Sequence, residues 1–364
     1  MKRREWIKTG LLLVMVLVLL AGGLVSFRQV RSYKKPAYEQ MCAAARQMED
    51  CMAALKAERL RRGLPIDGEE DRFETGLLGT GHTAITTTLG NLQAKRTACQ
   101  PDMAALVLDM LVEVGVKAGD RVGVCCTGSF PSLNLAAICA AEALGAEPVV
   151  IVSVGASSYG ANLPEFTAPE MLLHLYEQGL ITSAPEAITL GGSGDMGGNM
   201  GATFFPEEEG PILEETIARL ESLTKIVRCP DRGENLAWRE GVYGDITCFI
   251  SVGGHAMTMT REGDTTGYGI LKASGPLSDD SLIGYYLNRQ VPVIQLLNIK
   301  GLCADRGLAY DPLELPPIGT SAIYYERHHP RLPLILSALG AAGLLIALWN
   351  MTRRSRKSPI ESSL

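Results

Sequence analysis

Hydroxyl, amide and glycine residues gather in four short segments of the chain, each placed directly after an apolar run. The segments are 127–131, 153–162, 191–199 and 251–255. Glycine lets the backbone approach a ligand closely, and Ser, Tyr and Asn side chains supply hydrogen bonds. In an open parallel sheet, ligands bind beyond the carboxyl ends of the strands. We therefore expect the four segments to converge on one binding crevice.

The order of apolar and helical runs predicts the fold class. Two apolar runs, 121–126 and 148–152, enclose an Ala- and Leu-rich helical run and form one βαβ unit. Further strands are predicted at 187–190, 225–228, 246–252 and 291–297. Helices are predicted at 131–145, 168–179, 211–222, 233–240 and 281–289. This alternation indicates an α/β fold with one doubly wound, mainly parallel sheet.

Ser129, Asp195 and His255 are the candidate catalytic residues. Ser129 precedes a helix with proline in its first turn, where it either caps the helix or binds an anion at the helix N-terminus. As a nucleophile, Ser129 lacks a Gly-x-Ser-x-Gly context. A triad with His255 or His82 and with Asp195 would therefore form only through the fold. Asp195 could instead bind a cation or polarise an amine.

A further group of residues is predicted to bind a ligand. Lys95 and Arg96 follow a threonine-rich segment, 83–88, and could clamp a carboxylate; solvated surface charge is the alternative. The hydroxyl and amide side chains of 157–162 would contact an amide of the same ligand. The predicted ligand-binding set is Lys95, Arg96, Gly128, Ser129, Ser157, Ser158, Asn162, Ser193, Asp195, Gly253 and Gly254.

Neither a cofactor nor a metal is predicted. Residues 192–197 match Gly-x-Gly-x-x-Gly, but the residues that follow are poor helix starters, whereas a dinucleotide fingerprint opens directly into a helix. The five histidines show no metal-ligand spacing. The chain also has no Gly-x-x-x-x-Gly-Lys-Ser/Thr string, which disfavours an ATP-using ligase.

Both ends of the chain contain a segment that is long enough to cross a membrane. Nineteen uncharged residues lie between Lys8 and Arg28, and twenty-one lie between Arg331 and Arg353. A cleaved signal peptide is the alternative for the first segment, and a buried core helix is the alternative for the second. The composition favours a two-pass membrane protein.

The basic residues around the spans predict the orientation. Four basic residues precede the first span and four follow it, but four follow the second span against two before it. We therefore expect cytoplasmic termini and an extracytoplasmic middle. The predicted parts are a cytoplasmic tail with transmembrane helix (1–35), a helical stalk with Thr-rich extension (36–100), an α/β domain (101–317), a linker (318–331), a transmembrane helix (332–352) and a basic cytoplasmic tail (353–364).

The charge of the middle part limits its partners. Eight of the 34 basic residues precede residue 36 and four follow residue 331, which leaves 22 basic residues against 38 of the 40 acidic ones, a net charge of about −16. Nucleic-acid binding is excluded as a class because it needs a basic surface. A polyanion would be repelled by this field, so contact with one would need a local pocket.

The cysteines bear on the orientation. All nine lie between Cys42 and Cys303 without a Cys-x-x-Cys pair, so no disulfide framework is implied. Burial as small hydrophobic residues is the expected role. Unpaired cysteines in an outward-facing domain are the strongest sequence argument against the predicted orientation.

Four separated strings resemble one bacterial family. TGSFPSLN (127–134), SVGASSYGAN (153–162), ITTTLGNLQAKRT (85–97) and PVIQLLNIK (292–300) resemble the poly-gamma-glutamate system protein family, and the resemblance runs from about Tyr38 to about Pro317. It implies a membrane protein of the machinery that makes or exports poly-γ-glutamate capsule. It implies no established reaction and no catalytic residues.

The expected function is therefore that of a membrane-anchored component of poly-γ-glutamate synthesis or export. The α/β domain would bind the glutamate polymer or its chain ends, with other membrane subunits of the synthesis complex and membrane lipid as further partners. Two alternatives remain open at this point. One is a hydrolase or transferase acting on γ-glutamyl amides, and the other is a cytoplasmic anion- or nucleotide-binding subunit of the polymer ligase.

Overall fold

A computed structural model describes residues 2–260, 267–272 and 275–356. The chain divides into two compact units, one formed by both terminal segments and the other by residues 36–324. The expected stalk and Thr-rich extension, 36–100, belong to the same unit as the sheet. Residues 357–364, most of the expected basic tail, lie outside the described residues.

Twelve α-helices and nine strands occur in the described residues. The helices are α1 (Lys2–Arg28), α2 (Tyr38–Arg61), α3 (Leu92–Ala98), α4 (Asp102–Glu113), α5 (Pro131–Ala143), α6 (Ala168–Glu177), α7 (Gly201–Phe204), α8 (Gly210–Leu223), α9 (Arg232–Tyr243), α10 (Leu282–Asn288), α11 (Ile299–Arg306) and α12 (Arg331–Arg356). The strands are β1 (Arg31–Lys34), β2 (Arg121–Cys126), β3 (Glu147–Ser153), β4 (Pro185–Thr189), β5 (Ile226–Val227), β6 (Cys248–Val252), β7 (Gly269–Leu271), β8 (Val293–Leu296) and β9 (Tyr325–His328).

The terminal helices α1 and α12 are each long and apolar enough to cross a membrane, with a mean hydropathy of 2.7 and 2.1. They pack antiparallel, because Gly22 lies against Ser337 whereas Gly340 lies against Val18. A side chain at Gly22 would collide with Ser337, so the missing Cβ allows this close approach. β1 and β9 pair at one end of this hairpin, so the start of α1 and the end of α12 lie at its other end.

The domain formed by 36–324 is an α/β fold around a seven-stranded sheet. The strand order is β5-β4-β3-β2-β6-β8-β7, and every pairing is parallel except that between β7 and β8. All six strands predicted from the apolar runs are present. The edge strand β7 was not predicted, because three residues are too few to show a period-2 pattern.

The central strands are buried on both faces, which explains their nearly continuous apolar sequences. On one face, Cys125, Ile151 and Phe249 pack with residues of α9 and α10. Phe249 stacks on Tyr286 with ring centroids 4.7 Å apart. The N-terminal helix of this domain, α2, packs on α4 and α5. Its buried side chains include Met41, Ala44, Met48 and Met52. Helices thus cover the sheet and position the loops at the ends of its strands.

Candidate functional site

The four Gly- and hydroxyl-rich segments meet at a cavity of about 310 Å³. β2, β3, β4 and β6 are parallel, so their carboxyl ends lie on one edge of the sheet and the loops after them converge, as expected from the sequence. The lining residues are Thr87, Thr88, Thr127, Ser129, Ser153, Gly155, Gly192, Ser193, Asn199, Gly254, His255, Ala256 and Met259. Four predicted site residues are among them, namely Ser129, Ser193, Gly254 and His255.

The loops after β2 and β3 pack backbone against backbone at Gly128. A Cβ atom there would lie 2.7 Å from the carbonyl oxygen of Val154 and 2.8 Å from that of Gly155. The Gly128 carbonyl also accepts a hydrogen bond of 2.8 Å from the Ala161 amide. Gly128 does not line the cavity. Its role in the structure is to let the two loops approach each other.

Ser129 lies in the cavity wall, and its hydroxyl does not cap the following helix. Its Oγ accepts a hydrogen bond of 3.0 Å from the Ser157 amide. α5 begins at Pro131, and Phe130 precedes it without a side-chain cap. The capping role considered from the sequence is thus absent, and the anion-binding role stays a prediction.

Lys95 is buried at 2 % exposure and does not line the cavity. Its Nζ donates to the Ser129 carbonyl, lies 2.7 Å from Ser157 Oγ, and sits 3.8 Å from the centroid of the Phe130 ring. Burial lowers the pKa of Lys95 to about 7, far below the usual value for lysine. Lys95 was expected to clamp a ligand carboxylate. In the structure its amine instead contacts the loops after β2 and β3 and does not reach the cavity lining.

Arg96 also lies away from the cavity lining. Its Nε and Nη2 donate to the two carboxylate oxygens of Asp311 at 2.8 and 2.7 Å. This bidentate pair links α3 to the segment after α11 and lowers the pKa of Asp311. Arg96, which was also expected to bind a ligand carboxylate, therefore pairs with the carboxylate of Asp311.

Three other predicted ligand contacts serve the loop framework. Asn162, fully buried, accepts from the Thr80 amide at 2.9 Å and donates to the Thr80 carbonyl at 2.8 Å. Ser158 is buried, and its amide donates to the Thr88 carbonyl at 2.9 Å. Gly253 has a φ of +69°, and its amide donates to the Leu296 carbonyl. None of the three lines the cavity.

Asp195 is a buried residue that accepts hydrogen bonds from four other residues, and it does not line the cavity. Its Oδ1 accepts from Thr189 Oγ1 at 2.8 Å and from the Gly191 amide at 2.9 Å. Its Oδ2 accepts from Asn235 Nδ2 at 3.1 Å and from Arg239 Nη2 at 2.6 Å. With 1 % exposure and these four bonds, the carboxylate fixes the loop after β4, and the groups that it contacts belong to the protein.

His255 lines the cavity, but both ring nitrogens face the protein. Nδ1 accepts a hydrogen bond of 3.1 Å from the Met257 amide, and Nε2 lies 3.2 Å from Asp195 Oδ1. Burial opposes a charged ring, but Cys125 and Asp195 outweigh it and raise the pKa of His255 to about 9. The Met257 amide acts against protonation, because a protonated Nδ1 cannot accept its hydrogen bond. Neither nitrogen contacts Ser129, so the possible Ser129–His255–Asp195 triad is not assembled.

Arg239 and Cys125 join this cluster and were missed from the sequence. Arg239 is fully buried, and its Nη1 lies 3.7 Å from Cys125 Sγ. Burial raises the pKa of a thiol, but His255 and Arg239 outweigh it and lower the pKa of Cys125 below its usual value. An arginine in a charged helical run is indistinguishable from a surface arginine, so no local signal marked it.

Within the part of the chain that the structure describes, the cavity lining is hydroxyl-rich and contains no carboxylate. Six of these described lining residues have hydroxyl side chains, and His255 is the only titratable one among them. Among the residues that the structure describes, no group of three or more His, Cys, Asp or Glu side chains is arranged to hold a metal ion. The arrangement can donate hydrogen bonds to a polar group without repelling a negative one.

Comparison with known proteins gives no significant match: no family model, no curated protein and no solved structure is similar to this chain.

Proposed function

We propose that this protein is a membrane-anchored component of the machinery that makes or exports poly-γ-glutamate, and that its α/β domain binds the polymer or a chain end in the cavity. One observation carries the binding proposal. A domain with a net charge of about −16 has a cavity whose lining, within the described residues, contains hydroxyl groups and glycine backbone but no Asp or Glu. A γ-glutamyl unit combines a carboxylate with an amide, and both accept hydrogen bonds from such a lining.

The position of the cavity supports a doubly wound sheet. Along the chain, β2 to β5 are added in one direction, whereas β6 and β8 are added on the other side of β2. We infer a topological switch between β2 and β6. Loops after both of these strands contribute to the cavity, and such switch points are the usual ligand site of open α/β sheets.

The two apolar helices support anchoring in the membrane. Their antiparallel packing is compatible with two passes and with both termini on one side. The basic residues that follow the second span favour the cytoplasm for that side, which leaves the domain extracytoplasmic. The exposed apolar faces of the hairpin would contact lipid and other membrane subunits of the synthesis complex.

Binding is favoured over hydrolysis of γ-glutamyl amides. A serine hydrolase needs a base within reach of its nucleophile. The ring nitrogens of His255 contact Met257 and Asp195, and the Ser129 hydroxyl contacts the Ser157 amide. Among the described residues, no His, Asp or Glu is therefore in hydrogen-bond contact with the Ser129 hydroxyl.

The experiment that tests the proposal is titration calorimetry of the full chain in lipid nanodiscs with a γ-linked glutamate hexamer. We expect saturable binding that weakens roughly ten- to a hundredfold in Ser129→Ala, the effect of losing one charge-assisted hydrogen bond. Ser222→Ala, at an exposed serine on α8, is the matched control and should bind like the wild type.

Two further ligands distinguish the proposed function from the alternative functions. An α-linked hexamer reports whether the cavity recognises the γ-amide, and ADP reports nucleotide binding. Absence of binding to the γ-linked hexamer, or equal binding by the wild type and Ser129→Ala, would contradict the proposal. Cleavage of the hexamer, lost in Ser129→Ala, would establish the hydrolase instead.

A further inference from the structure

The Lys95 amine occupies a position that the binding proposal does not explain. It lies between the loop after β2, through Ser129, and the loop after β3, through Ser157. Ser129 lines the cavity, and the Ser157 amide donates directly to the Ser129 hydroxyl. Lys95 therefore ties together the two loops on which the cavity wall depends.

The surroundings of this amine are uncharged. Its partners are a carbonyl, a hydroxyl and the Phe130 ring. Among the residues that the structure describes, no Asp or Glu pairs with Lys95. Cys99 is the titratable group whose charge would act on the pKa of Lys95. Burial raises the pKa of Cys99 itself to about 12, so its thiol is neutral. A buried ammonium group without an anion is costly, and two hydrogen bonds with one aromatic contact offset only part of that cost.

The neutral amine fits the same position without that cost. It can donate one hydrogen to the Ser129 carbonyl while its lone pair accepts the Ser157 hydroxyl proton. Separation of the loops would let water reach the amine, where lysine holds a proton at neutral pH. Proton uptake therefore favours the separated loops, and proton loss favours the joined ones.

We propose that Lys95 is a proton-sensitive positioning residue: its neutral amine holds the loop after β2 against the loop after β3, and its protonation loosens the cavity wall. This inference rests on the proposed function where it concerns ligand affinity. The loosening itself concerns the ligand-free protein and can be measured without a ligand. The lowered pKa of Lys95, about 7, places the transition near neutral pH.

Hydrogen exchange of the ligand-free full chain in nanodiscs tests the loosening. We expect the protection factors of residues 156–161, corrected for intrinsic exchange, to rise about threefold to tenfold from pH 6 to pH 8. In Lys95→Met the same amides should show no pH transition, whereas Lys56→Met, at a half-exposed lysine paired with Glu74, should behave like the wild type. His255, whose pKa is raised to about 9, is a second titratable group beside the cavity, so the transition must disappear specifically in Lys95→Met.

Affinity for the γ-linked hexamer is the second measurement. We expect the wild type to bind several-fold more tightly at pH 8 than at pH 6, and Lys95→Met to bind with no pH dependence. A pH transition in exchange without binding at any pH would support Lys95 and contradict the proposed function. An unchanged transition in Lys95→Met would overturn the inference. Equal exchange at pH 6 and pH 8 in the wild type would also overturn it, even if Lys95→Met were too unstable to study.

Discussion

Asp195 and Arg239 form an ion pair with 2.6 Å between Oδ2 and Nη2, and neither side chain is more than 1 % exposed. Asp195 comes from the glycine-rich loop after β4, whereas Arg239 comes from α9, so the pair joins two segments that are distant in sequence. Asp195 raises the pKa of Arg239, whereas His255 together with Arg239 lowers the pKa of Asp195, in both cases against the effect of burial. The pair is the polar centre beneath the cavity.

We expect Asp195→Asn to lower the free energy of unfolding by about 3–5 kcal/mol, because it leaves the Arg239 charge buried and uncompensated. Thermal unfolding of the chain in detergent, followed by circular dichroism, measures the loss. The double variant Asp195→Asn/Arg239→Met should recover part of it, and Asp245→Asn, at an exposed position, should be neutral. A single variant as stable as the wild type would exclude this role for the pair.

The strands and the converging loops were predictable because their signals are local. The apolar runs 121–126 and 148–152 and the Gly- and Ser-rich segments after them each stand in one short window of sequence. Once the sheet is parallel, the shared edge follows from geometry.

The chemistry of single side chains was not predictable, because it depends on partners far along the chain. Lys95 and Arg96 are adjacent in sequence, but one is buried among uncharged groups and the other pairs with Asp311, more than 200 residues away. Asp195 looked available for a ligand and instead accepts four hydrogen bonds from the protein. Which side chains are buried, and which partners they meet, is decided by tertiary packing and leaves no local signal in the sequence.

Glu58 provides a prediction for the dependence of stability on pH. Hydrogen bonds from Arg61 outweigh the effect of burial and, together with Arg62, lower the pKa of this carboxyl from 4.5 to about 2. Stabilisation by Glu58 is therefore complete above about pH 4.5 and is lost as the pH falls towards 2. We expect Glu58→Gln to lower the free energy of unfolding by about 1–3 kcal/mol at pH 7, with the difference vanishing near pH 2.

Denaturant unfolding of the wild type and Glu58→Gln between pH 2 and pH 7 measures this difference. Glu49→Gln, at an exposed glutamate of the same helix, is the matched control and should show a small and constant difference. A Glu58→Gln difference that stays the same across this pH range would contradict the assignment.

Gly128 and Gly254 separate packing of the loops from contact with a ligand. A Cβ at Gly128 would collide with the Val154 and Gly155 carbonyls, whereas one at Gly254 would have nothing within 4 Å. We expect Gly128→Ala to lower the free energy of unfolding by about 1–3 kcal/mol, and Gly254→Ala to change it by less than about 0.5 kcal/mol. Because Gly254 lines the cavity, only its ligand affinity should change. Equal stability of both variants in thermal unfolding would show that the loops can separate at Gly128 without cost.

The sidedness of the domain is the last prediction. All nine native cysteines are buried, so an impermeant thiol reagent should react slowly with the wild type. A cysteine placed at Asp67 or Glu208, both exposed, should be labelled in intact cells if the domain is extracytoplasmic. Substitution at the buried Ala137 provides a control that should stay unlabelled until the protein is denatured. Labelling of Asp67→Cys and Glu208→Cys only after permeabilisation would place the domain in the cytoplasm, where reduced cysteines are the rule, and would remove direct contact with exported polymer.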